Sequence, residues 1–165
     1  MQLGESFVGS APNAAHVNTV LGTRDGPVGA AWAPALATPS AGHAPFVVVA
    51  HPGVPVQPFT LFVNKATIAN DGHARMTWGP AQAGVAGGVI DALEAEIVTI
   101  PGDLVLIAAV WVDPKADDAG AIFTNNREAT YGALSLGVAG LPAEDDVLAA
   151  RTEIWNPFFQ PNARQ

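Results

Sequence analysis

The sequence predicts a mixed α/β (α+β) fold built as a single domain. Three observations lead there. Residues 45–50 hold the run Phe46-Val47-Val48-Val49, and residues 104–112 are the most apolar stretch of the chain; both read as buried strands. Val85, Val89, Leu93 and Ile97 recur every four residues, which lays one apolar stripe along a helix. A length of 165 residues, 49% of them hydrophobic, is material for one core.

Glu5-Ser6-Phe7-Val8 reads as a short strand ended by Gly9-Ser10. Residues 16–21 form a second strand, with Pro12-Asn13 marking the turn between the two. Residues 26–36 suit a helix opened by Pro27 and bent or ended early by Pro34. Residues 51–58 hold three prolines and read as a loop before a strand at 60–68. Asn70-Asp71-Gly72 is a turn signal, and residues 75–78 read as a continuation of the sheet. Gly79-Pro80 then opens a helix over 81–96. Its Gly84, Gly87 and Gly88 each cost about 1 kcal/mol relative to alanine and call for a second backbone packed close by. Pro101-Gly102-Asp103 is a turn, and residues 104–112 are the central strand. Asp117 or Asp118 caps a helix running to about Val138. The domain proper spans 1–142. Residues 143–165 form a loop-like tail whose Trp155, Phe158 and Phe159 are expected to dock on the core or on a neighbouring subunit.

The net charge is −8, and the seven basic residues are scattered, so no phosphate-binding patch is available and nucleic acid is not the expected partner. Only 13% of residues are charged, which points to apolar surface buried between copies of the chain. There is no cysteine, hence no disulfide, thiolate metal site or cysteine nucleophile. No apolar run reaches membrane-spanning length and no leader pattern opens the chain, so a cytoplasmic protein with no membrane partner is expected.

Two short blocks carry the chemistry. In Ala15-His16-Val17-Asn18 and Phe62-Val63-Asn64-Lys65-Ala66-Thr67-Ile68, polar residues stand two apart on strand-like sequence. Alternation places His16 with Asn18, and Lys65 with Thr67, on common faces. Gln82 follows at the head of the glycine-rich helix. Together these supply a proton donor, two amides, a cation and a hydroxyl, an inventory suited to a polar small molecule and an acid-catalysed step. Each has a plainer reading alone: a hydrogen-bonded structural histidine, a solvated lysine, a strand-forming threonine, a first-turn glutamine. His43, His51 and His73 read as loop residues with no compact metal-site spacing, and no metal is expected. Gly84 to Gly88 lies inside a helix and lacks the lysine of a phosphate loop. Trp32 and Trp111 read as core.

With these residues in view, the chain resembles the formaldehyde-activating enzymes. The matching pieces are Gly4-Glu5 through Val8-Gly9, Ala15-His16, the 62–68 block, Gly79-Pro80-Ala81-Gln82-Ala83-Gly84-Val85-Ala86 and Arg127-Glu128-Ala129-Thr130, in order over about 4–142. The resemblance implies a fold like domain 2 of ribosomal protein S5. It implies a homopentamer with the pterin in a cleft between subunits. The implied reaction of one-carbon metabolism and formaldehyde detoxification is condensation of formaldehyde with tetrahydromethanopterin to the N5,N10-methylene compound and water. The pterin is a co-substrate, and no permanently bound cofactor or metal is implied. The family's histidine acid falls on His16, and its pterin contacts fall on Val47, Lys65, Thr67 and Gln82. The family's aspartate falls on Asn18, a departure that removes a charge beside His16. Two other readings stay open: a pterin-binding or formaldehyde-sensing homologue with little turnover, and an enzyme for another aldehyde or pterin.

Overall fold

The structure, a computed structural model, describes residues 1–140, 142–156 and 159. Seven strands and five helices are described: β1 (Gln2–Val8), β2 (Ala15–Thr23), α1 (Pro27–Ala37), β3 (Phe46–Val47), β4 (Val49–His51), β5 (Val54–Pro55), β6 (Phe59–Asn64), α2 (Asp71–Met76), α3 (Gln82–Glu94), β7 (Leu104–Trp111), α4 (Ala119–Ala139) and α5 (Glu144–Ala149). The main sheet has the order β1-β2-β7-β6-β3, so the expected central position of the 104–112 strand is observed. The β6–β7 pair is parallel and the other pairs are antiparallel. Helices and a mixed sheet in one small unit place the chain in the α+β class.

Strand alternation decides what each side of the sheet does. On β2, Ala15, Val17, Thr19 and Leu21 are buried, while His16, Asn18 and Val20 alternate with them and stay half-buried. Gly4 pairs with Thr19 and Ser6 with Val17, and both β1 residues meet α4, through Ala133 and Gly132. The α4 side is therefore the core side, where Val17, Phe62, Leu106, Val85, Val89, Ile122 and Leu134 cluster. On the opposite side Val28 of α1 packs where Gly22 has no side chain, at the end of β2 away from His16. The glycines of α3 behave as their spacing requires: a Cβ on Gly84 or Gly88 would lie 2.5 Å from the carbonyl oxygen of Phe123 or Arg127 on α4.

Several local expectations are corrected. Pro34 does not end α1, which runs to Ala37. Trp32 donates from Nε1 to Leu106 O at 3.0 Å, and this anchor with buried Val28 outweighs the missing backbone bond. Residues 51–58 are not wholly loop, since β4 and β5 form a small hairpin around Pro52-Gly53, with Gly53 at φ 87°. β6 ends at Asn64 rather than 68. The Asn64 amide donates to Gly42 O at 2.8 Å and Ala66 O at 2.7 Å, which folds the chain out of the sheet. Asn70 is an N-cap rather than a turn residue: its Oδ1 accepts from His73 N at 2.8 Å. Residues 71–78 are consequently helical rather than strand. A π-turn over Thr77–Ala81 takes up Pro80 and joins α2 to α3, so Gly79-Pro80 continues a helix instead of starting one.

Asp118 caps α4, as expected of this acidic pair, and Gly140 ends the helix at φ 75°. His73 is no loop residue but 1% exposed, accepting from Ala69 N at 3.1 Å through Nδ1 and donating from Nε2 to Val112 O at 3.0 Å. Trp32 and Trp111 are half-buried rather than core. The tail opens with α5, and its Ile154, Trp155 and Phe159 are 71%, 59% and 60% exposed. Pro157, Phe158 and residues 160–165 of the expected tail lie outside the described residues. Among the described residues no helix is long and apolar enough to cross a membrane.

Candidate active site

The site grows from the β1–β2 hairpin. Its register pairs Phe7 with His16 and Glu5 with Asn18, so all four side chains share the side away from α4. The Phe7 ring meets the His16 ring edge-on at 6.2 Å between centroids. Glu5 reaches diagonally, bringing Oε1 to 2.8 Å from His16 Nε2. Nε2 is buried and faces Glu5 as a close charge pair, and among the described residues no other group partners it. Lys65 arrives from the residue after β6, positioned by its backbone N–H on Val110 O at 2.8 Å, and its ammonium donates to Asn18 Oδ1.

The electrostatics follow from these neighbours. Burial pulls the His16 imidazole below its ordinary value, and the Lys65 charge lowers it further. The Glu5 carboxylate, 2.8 Å from Nε2, opposes both. Burial also lowers Lys65, again against Glu5. His16 is thus a histidine held between a cation and a carboxylate, sensitive to either.

Of the six residues singled out in the sequence, the structure joins three directly. His16, Asn18 and Lys65 form one cluster through β2 and the end of β6. Thr67 is not on the strand with Lys65. It lies in the loop beyond Asn64, where its hydroxyl meets His43 Nε2 at 3.1 Å, while His43 Nδ1 donates to Asn64 O at 2.8 Å. Because that carbonyl can only accept, His43 Nδ1 carries a hydrogen and Nε2 faces the Thr67 hydroxyl. Gln82, in the first turn of α3, donates from Nε2 to Val49 O at 3.1 Å. Val47 is half-buried on β3, opposite Leu61. Among the described residues Thr67, Gln82 and Val47 make no hydrogen bond to the His16 cluster. Beside the cluster a cavity of about 730 Å³ is lined by Leu3, Glu5, Asn18 and Val20 from the sheet and by Pro142 and Asp146 from the C-terminal segment.

Glu5 is the residue that sequence reasoning missed. Its place follows from the hairpin register: with Val8 opposite Ala15 across a six-residue connection, counting back along both strands puts Glu5 opposite Asn18. His43 was missed for a different reason, since nothing in a loop sequence announces which neighbour it holds.

Comparison with known proteins gives the chain its family. The family described as formaldehyde-activating enzyme (Fae) matches residues 3–159. A 5,6,7,8-tetrahydromethanopterin hydro-lyase of Methanosarcina barkeri is 36% identical over 158 residues, covering 94% of this chain and 89% of that protein. Bifunctional enzymes Fae/Hps of Methanococcoides burtonii and Methanosphaera stadtmanae are 41% and 36% identical over 90% and 96% of this chain. The chain spans only 38% and 42% of the length of those two relatives.

Proposed function

The chain belongs to the formaldehyde-activating enzyme family, and from that premise we propose that it is a hydro-lyase condensing formaldehyde with tetrahydromethanopterin. One pterin nitrogen adds to formaldehyde, giving a carbinolamine. Hydroxide leaves poorly at neutral pH, so His16 protonates the hydroxyl and water departs. The second nitrogen then closes the ring and releases its proton, which restores the acid. Two N–H bonds and one carbonyl become an N–CH2–N bridge and water. General acid catalysis of this kind contributes about 10²- to 10⁴-fold.

The observation that carries the reading is the cluster itself: a half-buried histidine flanked by Glu5, Asn18 and Lys65, of which Glu5 and Asn18 also line the neighbouring cavity. Lys65, Thr67, Gln82 and the Val47 backbone are the proposed pterin contacts. Lys65 supplies the cation that an anionic pterin needs on an acidic protein. The exposed Ile154, Trp155 and Phe159 support a tail docked on a neighbouring subunit; the homopentamer is proposed from family membership alone. The location proposed is the cytoplasm.

A second reading has one observation in its favour. Asn18 gives Lys65 an amide where the family pattern has a carboxylate, which removes a charge that would favour the His16 imidazolium. A pterin-binding or formaldehyde-sensing protein with little turnover would tolerate that change. Stopped-flow measurement of methylene-tetrahydromethanopterin formation separates the two. Acceleration over the uncatalysed reaction, lost in His16→Ala, is the expected result. Pterin binding without acceleration would establish the second reading.

A further inference from the structure

We propose that Glu5 is a positioning residue that holds the His16 ring by Nε2, so that Nδ1 is the atom that delivers the proton. The inference rests on the condensing reading and names the second group which that reading requires. Nε2 is buried and stands 2.8 Å from Glu5 Oε1, whereas the His16 side chain as a whole keeps 21% of its surface open. The nitrogen left for a substrate is therefore Nδ1. The Phe7 ring against the edge of the imidazole restricts the flip that would exchange the two nitrogens.

A carboxylate on Nε2 does two things for an acid at Nδ1. It keeps hydrogen on Nε2 in the neutral ring, so that the exchangeable proton is the one on Nδ1. It also favours the imidazolium, the form that donates. In a site where position 18 carries an amide, Glu5 is the carboxylate that does this work from the neighbouring strand. The charged groups acting on His16 are Glu5 from β1 and Lys65 from the loop after β6. The β7 residues paired with His16 and Asn18, Trp111 and Ala109, carry no charge. Asp146 of α5 faces the same cavity as Glu5 and Asn18. Glu5 itself is 60% exposed at its side chain, so its replacement spares the core.

The test compares wild type with Glu5→Gln and Glu5→Asp. Steady-state kinetics across pH are joined to ¹⁵N NMR titration of the histidines, with the His16 signals assigned by their loss in His16→Ala. The sign is fixed by the chemistry. The acid form is lost as pH rises through the His16 titration, and removing the carboxylate moves that titration to lower pH. For Glu5→Gln the alkaline limb of kcat shifts to lower pH and kcat at neutral pH falls about tenfold, with KM within about twofold of wild type. Glu5→Asp, one methylene short, lies between the two. A kcat limb in Glu5→Gln that superimposes on wild type would overturn the proposal, as would a His16 titration unmoved in either variant. Absence of turnover in wild type sinks the condensing reading instead, and the NMR titration then decides the Glu5–His16 pair alone.

Discussion

Three glycines in one helix test how the structure separates residues that look alike in sequence. Gly84, Gly87 and Gly88 each forgo about 1 kcal/mol of helix propensity relative to alanine. A Cβ on Gly84 would lie 2.5 Å from Phe123 O, and one on Gly88 would lie 2.5 Å from Arg127 O and 2.7 Å from Thr130 Cβ. Ordinary contact begins near 3.4 Å, so α3 and α4 would have to separate by about 0.9 Å along a contact that both helices share over most of their length. Overpacking of this kind costs about 1–3 kcal/mol against a propensity gain of about 1 kcal/mol, leaving a net loss of up to about 2 kcal/mol. At Gly87 the nearest atoms are Cδ, Cγ and Nε of Arg127, at 3.1 to 3.4 Å. That side chain is exposed and its pairing with Asp91, at 2.6 and 2.7 Å, can follow a small shift. Gly87→Ala is therefore neutral to stabilising by up to about 1 kcal/mol. The assay is urea unfolding followed by far-UV circular dichroism at one fixed protein concentration, supported by thermal midpoints, where about 1 kcal/mol corresponds to roughly 2–4 °C for a chain of this size. The reasoning fails if Gly84→Ala and Gly88→Ala unfold at or above the wild-type midpoint, or if Gly87→Ala falls as far as they do.

Two further substitutions have directions set by the structure. Asn18→Asp places a carboxylate on Lys65 and about 7 Å along the strand from His16, which favours the imidazolium and moves the alkaline limb of kcat to higher pH. Activity at pH 8 should rise about 3- to 10-fold, and an unchanged profile with unchanged pterin preference would end the argument that position 18 matters. His73→Leu removes the partners of Ala69 N–H and Val112 C=O in the interior, at about 1–3 kcal/mol for each group left unpaired; a urea midpoint equal to wild type would show that neither bond contributes.

The class of the fold was legible because its largest elements carry their own periodicity. The Leu104–Trp111 strand, the Val85/Val89 stripe and the Asp118 cap each appear in the sequence as the pattern that the physics demands. The region from Asn64 to Ala81 was misread for an equally physical reason. Asn70-Asp71-Gly72 is chemically a turn and an N-cap at once, and only the His73 amide decides which. The continuation of α1 past Pro34 depends on a contact far away in sequence, Trp32 with Leu106, where local propensity has no voice.

The sequence by itself determined that His16 and Asn18 share a face of a strand, that an apolar helix with three glycines packs close to another backbone, and that the protein belongs with enzymes of formaldehyde activation. Tertiary structure decided which groups act on His16. Asn64 turns the chain out of the sheet so that Lys65 reaches Asn18 and Thr67 goes to His43, and hairpin register sets Glu5 against Nε2. Alternation is a local property of a strand and can be counted along one segment. The field at His16 comes from charges that two other segments bring to β2, and it exists only once they have folded onto one another.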